Sequence, residues 1–312
     1  MASSAPADGR EAPRPAGPSA DGRETGASTP APEAPKSETP AAPRARALDR
    51  VLAAVAAAGL AVLLVAVGFA ACAAPPTTAA LAAWADTGAG SAYPADELPA
   101  LAQATRAYTV DARPAGYEAA RAALAEAVAR AAARAAADGS PTAGEWSARA
   151  RQALAGGDAL AATEALGRLS DRYALDADAL SHLDDCNRLI GAAVPAAAGA
   201  AALGLAALGA LIARDRRAAA GKALMAAPAL VIAAFAVLGL WGALDFNGLF
   251  GAFHAVLFPQ GNWTFSWDSL LISMYPLAFW MGMAGTWLIA TGCVAILSLV
   301  AGRRLARRGS SR

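Results

Sequence analysis

Four stretches of this 312-residue chain are long, apolar and free of acidic residues, and they decide what it can fold into. They run from Val51 to about Ala74, from Leu189 to Ala213, from Ala223 to Ala243, and from Leu277 to Ala301. Pro195 interrupts the second and Pro228 lies near the start of the third. A helix needs about 20 apolar residues to cross the hydrocarbon core of a bilayer. None of the 25 acidic residues falls inside a stretch; Asp245, just past the third, comes as close as any, two residues away like Asp49 and Asp215. A charge at the bilayer centre costs roughly 2.5–3.5 kcal/mol on insertion scales, so this avoidance is what spanning requires. The expected fold is all-α, a polytopic membrane protein with four transmembrane helices.

Composition agrees where it is informative. Only 16% of residues are charged, against about 25% in soluble domains. With 26 basic and 25 acidic residues, no net positive charge argues for nucleic acid as a partner. The three cysteines, Cys72, Cys186 and Cys293, are far apart with no CxxC spacing, so neither a disulfide framework nor a zinc motif is indicated.

Basic residues give the orientation. Arg44, Arg46 and Arg50 precede the first stretch, Arg214, Arg216, Arg217 and Lys222 join the second to the third, and Arg303, Arg304, Arg307 and Arg308 follow the fourth. The positive-inside rule puts all three groups in the cytoplasm. Residues 1–47, rich in Pro, Ala, Gly and Ser with no apolar period, are expected to be a disordered cytoplasmic tail. Their acidic residues exclude a transit peptide. The expected spans are 48–74, 189–213, 223–243 and 277–301, with a cytoplasmic loop at 214–222 and a basic cytoplasmic tail at 302–312. Segments 75–188 and 244–276 then lie outside, and the expected location is a bacterial plasma membrane. Phe69-Ala70-Ala71-Cys72 faintly resembles a lipoprotein signal, but its apolar run is too long for one, so an uncleaved anchor is expected.

The first outer segment, with 15 acids and 10 bases, reads as a helical region. Tyr117–Ala137 is rich in Ala, with Glu126 and Arg130 paired at i,i+4. Thr142 and Glu145 have capping-box spacing ahead of a helix over Trp146–Ala155. Gly156-Gly157 ends that helix, and Asp158 can cap the next, which runs to about Ser170. Lacking an aromatic anchor, the Ala-rich stretch is expected to be a spacer. The second outer segment holds Phe246, Phe250, Phe253 and Leu257 at helical spacing, which predicts a short interfacial helix, followed by a loop.

Only two histidines occur in the chain. His182 lies just ahead of the second span, in a helix that Asp176 or Asp178 can cap and that continues into the membrane. Asp185 at i+3 and Asp178 at i−4 share its face, so a carboxylate can orient the imidazole and stabilise its charged form. His254 lies in the interfacial helix. Topology puts both histidines on one side of the membrane at similar depth, where they can act as an acid–base pair. Zinc held by His182, Asp185 and His254 is an alternative, though nothing has metal-motif spacing.

Ser181-His182-Leu183-Asp184-Asp185 resembles an H-L-x-D-V motif, and Phe253-His254-x-x-x-Phe258 with Asn262-Trp263, Asp268, Leu271-Ile272, Tyr275-Pro276 and Phe279-Trp280 resembles a second block of the same family. In order, spacing and topology they are similar to the Lit-like integral membrane proteins, the lipoprotein intramolecular transacylases. The resemblance covers the first span and roughly residues 173–301. Cys186 stands where the family usually has valine, Asn187 where a base is common, and the tail and Ala-rich insertion are extra.

The resemblance implies moving the sn-2 acyl chain of a diacylated bacterial lipoprotein onto the α-amine of its N-terminal cysteine, giving a lyso-form lipoprotein. Ester becomes amide, which is downhill, so no cofactor is needed; the membrane lipid is solvent and neighbour. An α-amine of pKa about 7.7–8.0 and a histidine near 6.5 are matched for proton transfer. His182 and His254 are then the acid–base pair, with Asp185 orienting His182. Asn262, Tyr275, Trp263 and Asp268 are substrate-binding or oxyanion candidates. An acyl-Cys186 route, a lipid hydrolase of similar layout, and a non-catalytic membrane protein with a sensing or scaffold domain are the competing readings. Oligomeric state is not legible.

Overall fold

The computed structural model describes residues 41–85, 90–112 and 114–310, which are largely helical and contain no strand. In chain order the helices are α1 (Ala41–Ala73), α2 (Pro75–Trp84), α3 (Leu98–Arg106), α4 (Tyr117–Ala137), α5 (Pro141–Gly144), α6 (Ala148–Gly156), α7 (Ala159–Leu169), α8 (Ala177–Ala213), α9 (Arg217–Leu244), α10 (Phe246–Leu257), α11 (Leu270–Met274) and α12 (Leu277–Ser310). A π-helical turn at Ala107–Asp111 extends α3. Helices α1, α8, α9 and α12 are long and apolar enough to cross a membrane, so the chain is a multi-pass membrane protein. Residues 1–40 of the expected tail lie outside the described residues, while Ala41 onward is already helical, as Ala and Arg favour. Cys72 sits buried within continuous α1, its thiol facing the Met283 carbonyl at 3.3 Å.

Close packing of the spans relies on missing side chains. A Cβ on Gly204 of α8 would lie 2.7 Å from the Gly59 Cα of α1, and one on Gly221 of α9 would lie 2.6 Å from the Gly302 carbonyl of α12. Lipid supplies no hydrophobic drive between helices, so such close backbone approach is a main source of attraction. Polar links add to it. Trp287 of α12 donates to the Val65 carbonyl at 3.1 Å. Pro228 in α9 has no N–H for the Leu224 carbonyl, and Ser298 of α12 donates to that carbonyl instead, at 2.7 Å. Beside the start of α9, Asp49 of α1 pairs with Arg214 (3.1 Å) and Arg216 (2.7 Å), clamping the turn between α8 and α9.

Burial along α8 and α9 is uneven. Within the apolar part of α8 the buried residues are Ala201, Gly204, Ala207 and Leu211, and in α9 they run from Ala220 to Val231. No residue from Leu189 to Ala200, or from Ile232 to Leu244, is buried. Protein covers the apolar part of each helix only in the half nearest the connecting turn.

The segment between α1 and α8 forms a helical layer with a core of its own. Leu98, Leu101, Tyr108, Leu124, Val128, Trp146 and Leu166 are almost fully buried there, together with Leu270 and Met274 of α11. Here two expectations change. The Ala-rich α4 is no spacer, because Leu124, Val128, Ala131, Ala132 and Ala135 make one buried face, and Trp146 supplies an aromatic anchor from outside the helix. The helix after Trp146 is capped by Ser147, which accepts from Ala150 N at 3.1 Å, while the Glu145 carboxylate accepts from the Tyr173 hydroxyl. Glu145 therefore serves a longer-range bond than a capping box. Other expectations hold: α4 covers Tyr117–Ala137, Arg130 and Glu126 pair at 3.3 Å, Gly157 closes α6 at φ 75°, and Asp158 caps α7.

Candidate active site

Two helix ends and one loop build the site. Asp176 starts α8 by accepting from Ala179 N at 2.8 Å, which settles the choice between it and Asp178. At 37 residues α8 exceeds what a span needs, so its first three turns, which carry His182, stand ahead of the apolar stretch. Asp245 caps α10 by accepting from Gly248 N at 2.8 Å, and α10 carries His254. The loop 258–268 then returns across both.

The two imidazoles face each other with centroids 6.3 Å apart and planes inclined by 29°. His182 meets the edge of Phe258 at 4.6 Å and lies 5.6 Å from Phe265. His254 packs against both Phe250 at 4.0 Å and Trp263 at 4.8 Å, which also touch each other. Its Nδ1 is 2.8 Å from the Phe250 carbonyl, an acceptor only, so Nδ1 carries the proton and the lone pair is on Nε2. Burial, then the neighbouring His254, lowers the His182 pKa from its ordinary value, against the opposing pull of Asp185. His182 is therefore neutral near pH 7. Its Nε2 faces the Cys186 thiol at 3.7 Å, and its Nδ1 is buried with no partner.

Asp185 does not orient His182. Its Oδ1 accepts from Arg188, and its Oδ2 accepts from Gln260 and, at 3.4 Å, from Asn262. Burial opposes ionisation of this carboxyl, but those three donors outweigh it and hold the pKa below its ordinary value. Helical spacing put Asp185 on the right side of α8, but the loop supplies stronger donors than a half-buried imidazole does. Asp185 thus ties the returning loop to α8.

The other candidates divide. Trp263 packs on His254, as described. Asn262 uses both N–H bonds of its amide, on Ser181 Oγ at 2.9 Å and on Asp185, which leaves none for an oxyanion. Tyr275 donates its hydroxyl to the Ala102 carbonyl at 2.6 Å within the outer core, away from an oxyanion role. Asp268 pairs with Arg172 at 3.1 Å, beside a bond from Leu270 N to the Asp171 carbonyl at 2.8 Å. These last two hold the loop and α11 against the helical layer.

Both departures in the first motif have local roles. The Asn187 amide donates to the carbonyls of Tyr108, Thr109 and Ala112 (3.2, 3.0 and 2.9 Å), which the π-helical turn leaves short of partners. Burial, helped by Asp185, pushes the Cys186 thiol up to about 12, so it is a thiol and not a nucleophilic thiolate. Asp184 accepts from the hydroxyls of Tyr108 and Tyr117, docking α8 on the helical layer. Gln260 was not legible from sequence. Its one local signal is the turn at Gly261, which adopts φ 80° and turns the chain beside it. Among the described residues no three His, Cys, Asp or Glu side chains gather as a metal-ligand set.

No curated protein and no solved structure matches the chain. One protein family does: residues 160–280, which contain both histidines and each side chain described around them, match the family of the lipoprotein intramolecular transacylase Lit, so this part of the chain is Lit-like.

Proposed function

We propose that the chain is a membrane-bound acyltransferase that moves the sn-2 acyl chain of a diacylated lipoprotein to the α-amine of its N-terminal cysteine. The observation that carries this reading is the facing pair of imidazoles, one with its tautomer fixed and the other kept neutral. His254 Nε2 takes a proton from the amine as its nitrogen attacks the ester carbonyl. Collapse of the tetrahedral intermediate breaks the bond to the glyceryl oxygen, which leaves with the proton that His254 returns. The amide and a free hydroxyl result, with no net proton change. His182 offers its unpartnered Nδ1 as an N–H to the carbonyl oxygen, while Nε2 accepts from the Cys186 thiol. The substrate brings both nucleophile and ester, so positioning supplies much of the rate.

The same reading puts both termini in the cytoplasm and the histidines at the outer face, where diacylated lipoproteins reside. The test is mass spectrometry of lipoprotein N-terminal peptides from a host that otherwise leaves them diacylated. Expression should move one acyl chain to the amine, and His182→Ala or His254→Ala should abolish this without loss of membrane insertion. Free fatty acid in place of N-acyl product identifies a hydrolase, and no product from any variant leaves a scaffold.

A further inference from the structure

An ester aminolysis needs three things from its site: a base, a donor for the carbonyl oxygen, and an acceptor that holds the amine with its lone pair aimed at the ester. The two histidines fill the first two roles under the reading above, on which this inference rests. Neither is free to fill the third.

The Asn262 Oδ1 atom is buried and has no hydrogen-bond partner, whereas its Nδ2 has two. Leaving an acceptor buried and unpaired costs about 1–3 kcal/mol, so the fold retains this atom against its own stability. Which end of the amide faces inward is not arbitrary. Asp185 is ionised at neutral pH and accepts only, so it takes the amide N–H. Turning the amide over would set oxygen against carboxylate oxygen. Asn262 also sits in the loop between Phe258 and Phe265, both of which pack on His182, whose Nδ1 is the other unpartnered buried atom of this wall.

We infer that the Asn262 carboxamide oxygen is the acceptor for an N–H of the attacking α-amine, and that Asp185 is the positioning residue that keeps this oxygen turned toward the substrate. The arrangement selects a lipid-linked cysteine whose amine is still free. It also assigns the Asp185–Gln260 contact a purpose, since Gln260 donates to the same Oδ2 as Asn262 and holds the loop that carries it.

The test is equilibrium binding to the full-length protein in nanodiscs. The probes are a glyceryl-cysteine lipopeptide with two ether-linked alkyl chains, which cannot be transferred, and its desamino analogue, identical but without the α-amine. Wild type should bind the amine form about five- to tenfold more tightly, the worth of one neutral hydrogen bond. Asn262→Ala should bind both forms alike. Asp185→Asn should also lose the preference, because a neutral amide at 185 can donate to Oδ1 and let Asn262 turn. Melting curves on each variant show whether it is folded. An Asn262→Ala protein that keeps the wild-type preference, or a wild type with none, overturns the inference. A preference kept in Asp185→Asn overturns the part assigned to Asp185. Binding is read without turnover, so a wild type that prefers the amine yet makes no lyso-form product refutes the transacylase reading alone.

Discussion

His182 shows how burial and charge work on one residue. It is wedged against Phe258 and Phe265, with His254 facing it and Asp185 one turn away, and its pKa is lowered. A histidine with a depressed folded pKa binds fewer protons than the unfolded chain. Its contribution to stability is therefore present above the unfolded value of about 6.5 and lost as pH falls toward the lower folded value. Thermal melts in detergent should show the wild type losing stability below about pH 6.5. His182→Phe, which keeps an aromatic ring against the same neighbours and cannot take a proton, should lose less over that interval. Equal slopes for the two proteins refute the assignment. Asn187 offers a second test. Asn187→Leu leaves the carbonyls of Tyr108, Thr109 and Ala112 without their shared donor, and should cost about 1–3 kcal/mol in melts of the same kind.

Among the elements, α9 and α12 depend on a repair. Pro228 takes a hydrogen-bond donor out of α9, and Ser298 supplies one from α12. Ser298→Ala should destabilise the wild type by about 0.5–1.5 kcal/mol, yet have little effect where Pro228→Ala has restored the backbone donor. A double-mutant cycle in detergent measures that coupling, and additive effects argue against the repair. Gly204 is a harsher case. A methyl there meets Gly59 backbone at 2.7 Å, which no rotamer relieves, so Gly204→Ala should part α1 from α8 and lower the melting temperature. The four spans were legible in the chain because charge avoidance over about 20 residues is a strong signal. So were α4, α7 and α10, where periodicity or a capping residue marked the boundaries. Helices α2, α3 and α11 were not foreseen. They are short, and their stability comes from a shared core, whose partners no local window contains.

At the scale of the molecule, one buried cluster runs from α2 through α7 and takes in Leu270, Leu271, Met274 and Phe279 from beyond two intervening spans, α8 and α9. Layer and loop are therefore one body. Deleting residues 117–169 should disorder the loop that carries Asn262 and Trp263, read as chymotrypsin cleavage after Trp263, Phe265 or Trp267 that the intact protein resists. A deletion variant that resists equally well shows the layer to be dispensable to the loop. The candidate site was legible in part for the same reason. Topology alone brought His182 and His254 together, and both lie near the end of a helix. The partner of Asp185 was not, because a carboxylate's choice among an imidazole one turn away, Gln260 and Asn262 is settled by a loop that returns across α8.

Residues 189–200 of α8 and 232–244 of α9, which lead up to the histidines, include no buried residue, and in a membrane lipid covers what protein does not. Under the proposed reaction, an acyl chain that arrives there never enters water, and its encounter with the site is a collision in a plane. The relevant concentration is then a mole fraction within the amphiphile phase, and not moles per litre of buffer. Turnover in mixed micelles should fall as inert detergent is added at fixed amounts of protein and lipopeptide, and should return when lipopeptide is raised in proportion. A rate that ignores detergent and follows bulk concentration alone indicates entry from the aqueous side.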